Sequence, residues 1–158
     1  MDILIPEFKQ VLLLLNKHKV NYMLIGGYAV IYYGYIRNTT DMDILLKPDN
    51  ANRDKLMPAL KEFGIDSESL QLVSNIDFNE IQFFFFGKKP RRIDFLNRIS
   101  GITYDEAEKE VNHFPLENSS VPIIHYEHLI LSKISNERAK DKADVEELQR
   151  INRYRKND

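Results

Sequence analysis

Two aspartates one residue apart carry the clearest chemical signal in this 158-residue sequence. Asp41 and Asp43 lie in the apolar run 41–46, and the side chains of a strand alternate between its two faces, so both carboxylates are expected on one face. Carboxylates this close repel each other unless a cation lies between them, and hard oxygen ligands suit Mg²⁺. The pair therefore indicates a site for a divalent metal.

A third acid, Asp94, stands alone in the apolar stretch 92–96. If this stretch forms a strand beside residues 41–46, the three carboxylates converge, because opposed side chains are about 5 Å apart at Cβ. Three converging carboxylates fit a two-metal phosphoryl or nucleotidyl transfer site. The alternative is that Asp94 only forms a salt bridge with Arg91 or Arg92.

A glycine pair, Gly26-Gly27, closes the apolar run that precedes these acids. A short helix is expected directly after it, and backbone amides at the start of a helix can hold phosphate. The glycines and the acids together indicate a site for a metal-bound nucleotide. No Gly-Lys-Ser/Thr sequence follows, which excludes a Walker loop.

Three further residues are candidates for binding the nucleotide. Arg37 could reach phosphate oxygens, or it could pair with a surface acid. Thr39 could contribute to the same loop, or it could only fix the turn. Lys133 lies near an apolar helical stripe and could point toward a triphosphate, or it could be a lysine at the edge of that stripe. The roles of Lys140, Asp141 and Asp144 stay open, because helix charge pairing also explains them.

The order Gly26-Gly27, Asp41-Met42-Asp43-Ile44 and Ile93-Asp94-Phe95 resembles the polymerase-β-like nucleotidyltransferase superfamily. The resemblance is closest to small bacterial members, which include abortive-infection-type toxins and minimal antibiotic nucleotidyltransferases. The core motifs span residues 24–96. A weaker similarity continues through Lys133 and the segment 140–144.

The resemblance implies an enzyme that moves a nucleoside monophosphate from a nucleoside triphosphate to an acceptor hydroxyl. It implies two Mg²⁺ ions, with Mn²⁺ as the alternative. Asp41 and Asp43 would bind both ions, and Asp94 would bind the ion that activates the acceptor. Gly26 and Gly27 would let the backbone approach the triphosphate.

Two other functions stay open at this point. One is a nucleotide-binding or partner-binding module without catalysis. The other is a toxin that modifies RNA or protein and is controlled by a cognate antitoxin. The acceptor (a small molecule, a protein or RNA), the preferred base and the oligomeric state are not indicated by the sequence.

The elements that must position these residues indicate a mixed α/β (α+β) fold, with a small mixed central sheet flanked by helices. A single domain is expected over residues 1–158, with a helical part at about 125–152. Four consecutive phenylalanines, Phe83–Phe86, suggest a strand buried on both faces. Residues 67–79 are ambiguous, and Pro58 is expected to kink or delay the helix that Asp49 caps. The predicted strands are 22–25, 41–46, 81–86, 91–96 and 121–124; the other predicted helices start at Pro6, Tyr28, Thr103, Tyr126 and Lys140.

Composition narrows the classes of protein. The absence of cysteine excludes disulfides and thiolate metal sites, and it is compatible with a reducing compartment. A net charge of −2 gives no overall attraction to nucleic acid or membrane. The basic run 88–92 could touch RNA, although small basic patches are common on near-neutral proteins. No apolar run approaches the length of a membrane span, so a cytoplasmic protein without a membrane partner is expected.

Overall fold

The computed structural model describes residues 4–157, which form one six-stranded mixed sheet with helices packed against it. The strands are β1 (Tyr22–Ile25), β2 (Asp41–Leu46), β3 (Phe83–Phe86), β4 (Arg92–Leu96), β5 (Asn112–Leu116) and β6 (Ser119–Ile123). Their order in the sheet is β3-β4-β2-β1-β6-β5. The pairs β2–β4 and β1–β6 are parallel, whereas the other three pairs are antiparallel. The mixed central sheet predicted from the sequence is confirmed.

Seven helices lie between and after these strands in the described part of the chain. They are α1 (Pro6–Lys17), α2 (Gly26–Tyr32), α3 (Asn50–Phe63), α4 (Ser67–Ser74), α5 (Tyr104–Glu108), α6 (Tyr126–Ile134) and α7 (Ala139–Lys156). The ambiguous segment after Gly64 therefore contains a helix. Within residues 4–157, no helix combines the length and the apolar character that crossing a bilayer requires.

Local signals set several helix ends where the sequence places them. Asp49 accepts a hydrogen bond from the backbone N–H of Asn52 and so caps α3. Gly64 ends the same helix with a φ of +106°, a conformation that glycine adopts without steric cost. Pro58 does not delay the start of α3, which begins at Asn50 and continues through the proline. Thr103 caps α5 in the same way as Asp49 caps α3.

The prediction that the phenylalanine strand is buried on both faces is wrong. β3 is the edge strand of the sheet, and its side chains alternate between exposed and half-buried. Phe84 and Phe86 pack against Phe95 on the core face, whereas Phe83 and Phe85 point to the other face and are about half exposed. The run of four aromatic residues hid this alternation, because every position carries the same apolar residue.

The sequence interpretation also missed a strand. β5 pairs antiparallel with β6 from Asn112–Ile123 to Leu116–Ser119, and Glu117 adopts a positive φ in the turn between them. Its sequence, NHFPL, contains few β-branched residues and a proline, so it lacks the composition of a strand. Its place at the other edge of the sheet explains why Pro115 is tolerated there.

The sheet is apolar on one face and carries the acids on the other. Met42 and Ile44 are fully buried, while Asp41 and Asp43, which alternate with them, are only partly covered. The same alternation on β4 buries Ile93 and Phe95 in the core. Burial of these side chains therefore orients the neighbouring carboxylates toward the opposite face.

Candidate active site

The three predicted carboxylates meet on adjacent strands. β2 and β4 are parallel neighbours in a register that places Asp43 directly beside Asp94. Asp41 lies two residues before Asp43 on the same face. One oxygen of each carboxylate lies within 4.8 Å of the others. The two strands therefore pair as the sequence analysis required, and the three carboxylates converge.

The carboxylates of the cluster repel one another. Burial, the charges of Asp41 and Asp94, and a hydrogen bond with Asp94 together raise the pKa of Asp43 to about 7. Asp94 is held by Arg92, whose Nε and Nη2 donate to its two oxygens at 2.6 and 3.1 Å. Both interpretations of Asp94 therefore hold, since it belongs to the cluster and also forms a salt bridge.

This donor set fits divalent metal. Three oxygens converge at one point, and no other group of three or more acid, histidine or cysteine ligands was found in residues 4–157. A cation between them would offset the repulsion that raises the pKa of Asp43. All-oxygen ligands suit Mg²⁺ and Mn²⁺ better than softer ions.

Gly26 and Gly27 lie at the junction of β1 and α2, directly beside the acids. Gly26 has a φ of +67°, and a Cβ at this position would stand 2.0 Å from Oδ2 of Asp43. A Cβ on Gly27 would stand 2.5 Å from Oγ1 of Thr39. The glycines are thus required by close packing around the carboxylates, in addition to any contact with phosphate.

Arg37 and Thr39 lie in the loop that leads into β2. The Thr39 hydroxyl donates to the backbone carbonyl of Asp41 at 3.0 Å, which fixes the entry to the metal strand. Arg37 lines the cleft, and its Nε and Nη2 donate to the two oxygens of Asp144 at 2.8 and 2.9 Å. Its partner is a buried acid of α7 rather than a surface acid.

Lys133 is buried on α6 and belongs to the same charge network. Its Nζ donates to Asp141 at 3.0 Å and to Asp144 at 2.9 Å, and Arg138 donates to the second oxygen of Asp141. Burial would raise the pKa of Asp141, but the hydrogen bonds and charges of Lys133 and Arg138 hold it below its usual value. The network joins α6 and α7 to the loop before β2. Asp141 and Asp144, whose roles the sequence left open, therefore pair with the cations of this network.

A cleft of about 740 Å³ surrounds the acids. Gly26, Gly27, Arg37 and Lys133 line it together with the three carboxylates, whereas Thr39 lies behind its wall. The cleft also contains residues that the sequence analysis did not select for the site: Phe83, Ile81, Lys89, Arg92, Arg98, Arg138 and Lys140. Lys89 and Arg92 belong to the basic run 88–92, which was a signal in the sequence. No sequence pattern pointed to Arg98.

Comparisons with known proteins agree with this geometry. The family model for aminoglycoside-2''-adenylyltransferase matches residues 7–148 of the chain. Comparison with the curated proteins finds no match. The family is a polymerase-β-like nucleotidyltransferase family, so the superfamily resemblance and the expectation of an enzyme are confirmed, while the kinship with toxins stays a prediction. The match covers both the acid-bearing strands and the helices of the charge network, and the chain therefore belongs to the aminoglycoside-2''-adenylyltransferase family of nucleotidyltransferase enzymes.

Proposed function

We propose that this protein transfers the nucleoside monophosphate of a nucleoside triphosphate to an acceptor hydroxyl, with residues 1–158 acting as one domain. The observation that carries the proposal is the convergence of Asp41, Asp43 and Asp94 at one cleft. The family description favours ATP as the donor, because it names an adenylyl group.

The three carboxylates would hold Mg²⁺, with Asp41 and Asp43 shared between two ions and Asp94 on the acceptor side. Bound there, the metal would neutralise charge on the phosphates and favour the ionised form of the acceptor hydroxyl. Arg92 would keep Asp94 ionised and correctly oriented through its two hydrogen bonds.

Gly26, Gly27, Arg37, Thr39 and Lys133 would serve the nucleotide. The two glycines line the cleft beside the acids, and a backbone without side chains would let the triphosphate approach closely. Arg37 and Lys133 add positive charge to the cleft wall while Asp144 holds both in place. Thr39 acts indirectly, through the backbone of Asp41.

At the α-phosphorus, the reaction makes one bond and breaks one bond. The acceptor oxygen bonds to the α-phosphorus, and the bond from that phosphorus to the oxygen bridging to the β-phosphate breaks. Pyrophosphate leaves with the electron pair, and the hydroxyl proton passes to a carboxylate of the cluster and then to solvent. Catalysis rests on positioning and on neutralising charge, as in other phosphoryl transfers.

The test is pyrophosphate release by the purified protein with ATP, Mg²⁺ and three separate acceptor pools: aminoglycosides, total RNA and cell protein. We expect release with at least one pool, and loss of more than about 100-fold in the double variant Asp41→Asn/Asp43→Asn, since both metal ligands are altered. Asp54→Asn is the matched control, because Asp54 is an exposed acid paired with Arg53 outside the cleft.

Equal release by the double variant would show that the acids are wrongly assigned. Binding of Mg-ATP in calorimetry without release against any pool would instead favour the non-catalytic module. The family description names an aminoglycoside acceptor, so that pool is the first to be examined.

A further inference from the structure

The edge strand β3 has backbone groups that point away from the sheet. In the described part of the chain, its only neighbouring strand is β4. Both backbone groups of Gln82 face β4, because its carbonyl accepts from the N–H of Asn97 at 3.3 Å and its N–H donates to Asn97 Oδ1 at 2.8 Å. Backbone direction alternates along a strand, so the groups of Phe84 also face β4. The N–H and C=O groups of Phe83 and Phe85 therefore lie along the outer edge.

Nothing within β3 prevents this outer edge from pairing with another strand. Edge strands are usually protected by a proline, a charged residue or a bulge. The opposite edge of the sheet follows this rule, because β5 contains Pro115, which has no N–H to donate. β3 consists of four phenylalanines and pairs with β4 in an unbroken register. It has none of the three protective features.

The side chains along the outer edge are large, apolar and exposed. Ile81, Phe83 and Phe85 are 74%, 55% and 49% exposed. The rings of Phe83 and Phe85 lie 6.2 Å apart, and the Arg92 guanidinium lies 4.3 Å from the centroid of Phe85. A strand added beside β3 would remove part of this surface from water, which favours association.

The charges at the two ends of β3 indicate what kind of strand fits. Glu80 precedes the strand, Lys88 follows it, and both side chains are exposed. Among residues 4–157, neither lies within salt-bridge distance of an opposite charge. A parallel copy of the same strand would place like charges together at both ends. An antiparallel copy places Glu80 opposite the partner's Lys88, and Lys88 opposite the partner's Glu80.

We propose that two copies of this chain associate through β3, with the two strands antiparallel and a two-fold axis at Phe84. Phe84 then lies opposite the partner's Phe84, and Phe83 lies opposite the partner's Phe85. The axis is perpendicular to the sheet, so the two sheets join into one continuous sheet. An isologous contact of this kind closes after two copies and leaves no further edge of β3 to pair.

The outward-facing backbone groups determine this register. Phe83 and the partner's Phe85 exchange two hydrogen bonds, and the symmetric pair exchanges two more, so every outward group of both phenylalanines is satisfied. A shift by one residue would place outward groups opposite groups that already bind β4. A shift by two residues would keep hydrogen bonds but separate Glu80 from the partner's Lys88.

The association would also complete one wall of each cleft. Phe83 lines the cleft on the side of β3. Paired side chains share a face of the sheet and lie about 5 Å apart at Cβ, so the partner's Phe85 would lie beside Phe83. The two clefts would open on the same face of the joined sheet, with the paired β3 strands between them.

Amide hydrogen exchange tests the contact at single residues. The N–H groups of Phe83 and Phe85 should exchange rapidly in dilute protein and become protected as the protein concentration rises, because only a second copy supplies their acceptors. The N–H groups of Phe84 and Phe86 should be protected at every concentration, since β4 supplies theirs. These two residues are therefore the internal control.

Sedimentation velocity from low to high micromolar protein measures the association itself. We expect the mass to rise from that of one chain, 18.6 kDa, toward twice that value. Glu80→Lys and Lys88→Glu should each raise the dissociation constant about 10-fold or more, because each change places like charges together at two symmetric contacts. The double variant Glu80→Lys/Lys88→Glu restores opposite charges and should restore the dissociation constant of the unaltered protein.

Glu146→Lys is the matched control for charge. It makes the same change as Glu80→Lys at an exposed position of α7, outside β3, and should associate as the unaltered protein does. Circular dichroism of every variant separates loss of association from loss of fold.

The mass of one chain at every concentration would overturn the proposal. Association that neither single variant weakens, with the Phe83 and Phe85 amides still unprotected, would place the contact elsewhere and overturn it as well. A double variant that associates no better than the single variants would reject the antiparallel pairing. Protection of both amides in dilute, monomeric protein would mean that the chain covers its own edge. None of these measurements requires nucleotide transfer, so they leave the proposed function to its own test.

Discussion

Individual residues set the fine geometry of the acid cluster. Gly26 is the clearest case, because its positive φ and its lack of a Cβ are both needed where the backbone passes Asp43. Thr39 and Arg92 complete this geometry from either side, one through the backbone of Asp41 and the other through the carboxylate of Asp94. Small changes at these positions should therefore alter the cluster more than the fold.

A comparison of Gly26→Ala with Gly64→Ala separates the effect of the positive φ from the effect of a Cβ that has no space. Both glycines have positive φ, but nothing lies within 4 Å of a Cβ at Gly64. We expect Gly64→Ala to cost about 1 kcal/mol of stability through backbone strain alone. Gly26→Ala should cost more and should abolish transfer, because its Cβ would displace the Asp43 carboxylate.

Urea unfolding of the two variants, with pyrophosphate release on each, checks this expectation. Equal destabilisation of the two variants, together with normal activity of Gly26→Ala, would mean that the close contact with Asp43 has no consequence.

At the scale of elements, a buried charge network attaches the C-terminal helices to the sheet. Asp144 of α7 binds Lys133 of α6 and also Arg37, which is 107 residues away in sequence and precedes β2. One carboxylate thus joins three segments that line the cleft. Buried pairs of this kind are costly to break from one side, because the remaining charges lose their partner.

We expect Asp144→Asn to destabilise the protein by about 3 kcal/mol, because the buried Lys133 and the partly buried Arg37 would lose full compensation of their charges. Glu146→Gln is the control on the same helix, since Glu146 is exposed, and it should change stability by less than about 0.5 kcal/mol. Thermal or chemical unfolding measures both variants. If the two variants prove alike, the network does not hold the helices to the sheet.

At the scale of the whole molecule, the unneutralised acid cluster lowers stability. Asp43 holds a proton in the folded protein up to a pKa of about 7, against an ordinary value of 3.8 in the unfolded chain. Between these values the folded state binds more protons than the unfolded state, so the contribution of Asp43 to stability falls as pH rises. Without metal, the acid cluster therefore destabilises the folded state most at neutral pH, where the carboxylates are ionised.

The metal-free protein should therefore lose stability relative to Asp43→Asn as pH rises from about 4 to about 7, by on the order of 3 kcal/mol. Addition of Mg²⁺ at pH 7.5 should restore the unaltered protein but not the variant, because binding to the folded state stabilises it. Urea unfolding across this pH range in EDTA and in Mg²⁺ provides the measurement. A difference between the two proteins that is constant with pH would contradict the raised pKa.

Much of the site could be predicted from local patterns in the sequence. The alternation of side chains along a strand places Asp41 and Asp43 on one face whatever surrounds them. The caps at Asp49 and Thr103 and the stop at Gly64 are likewise local, because each depends on hydrogen bonds or dihedrals within a few residues. The strand β5 was missed since its residues favour a strand only when β6 lies beside it.

By itself, the sequence determined that two acids share a strand face after a glycine pair, and that a third acid stands in a second apolar strand. Only the tertiary structure decided that Asp94 lies beside Asp43, that Asp144 holds Arg37 and Lys133, and that Phe83 and Phe85 face solvent. Local periodicity orients a side chain relative to its own backbone. Which strands become neighbours, and which face stays uncovered, depends on packing between segments far apart in the chain.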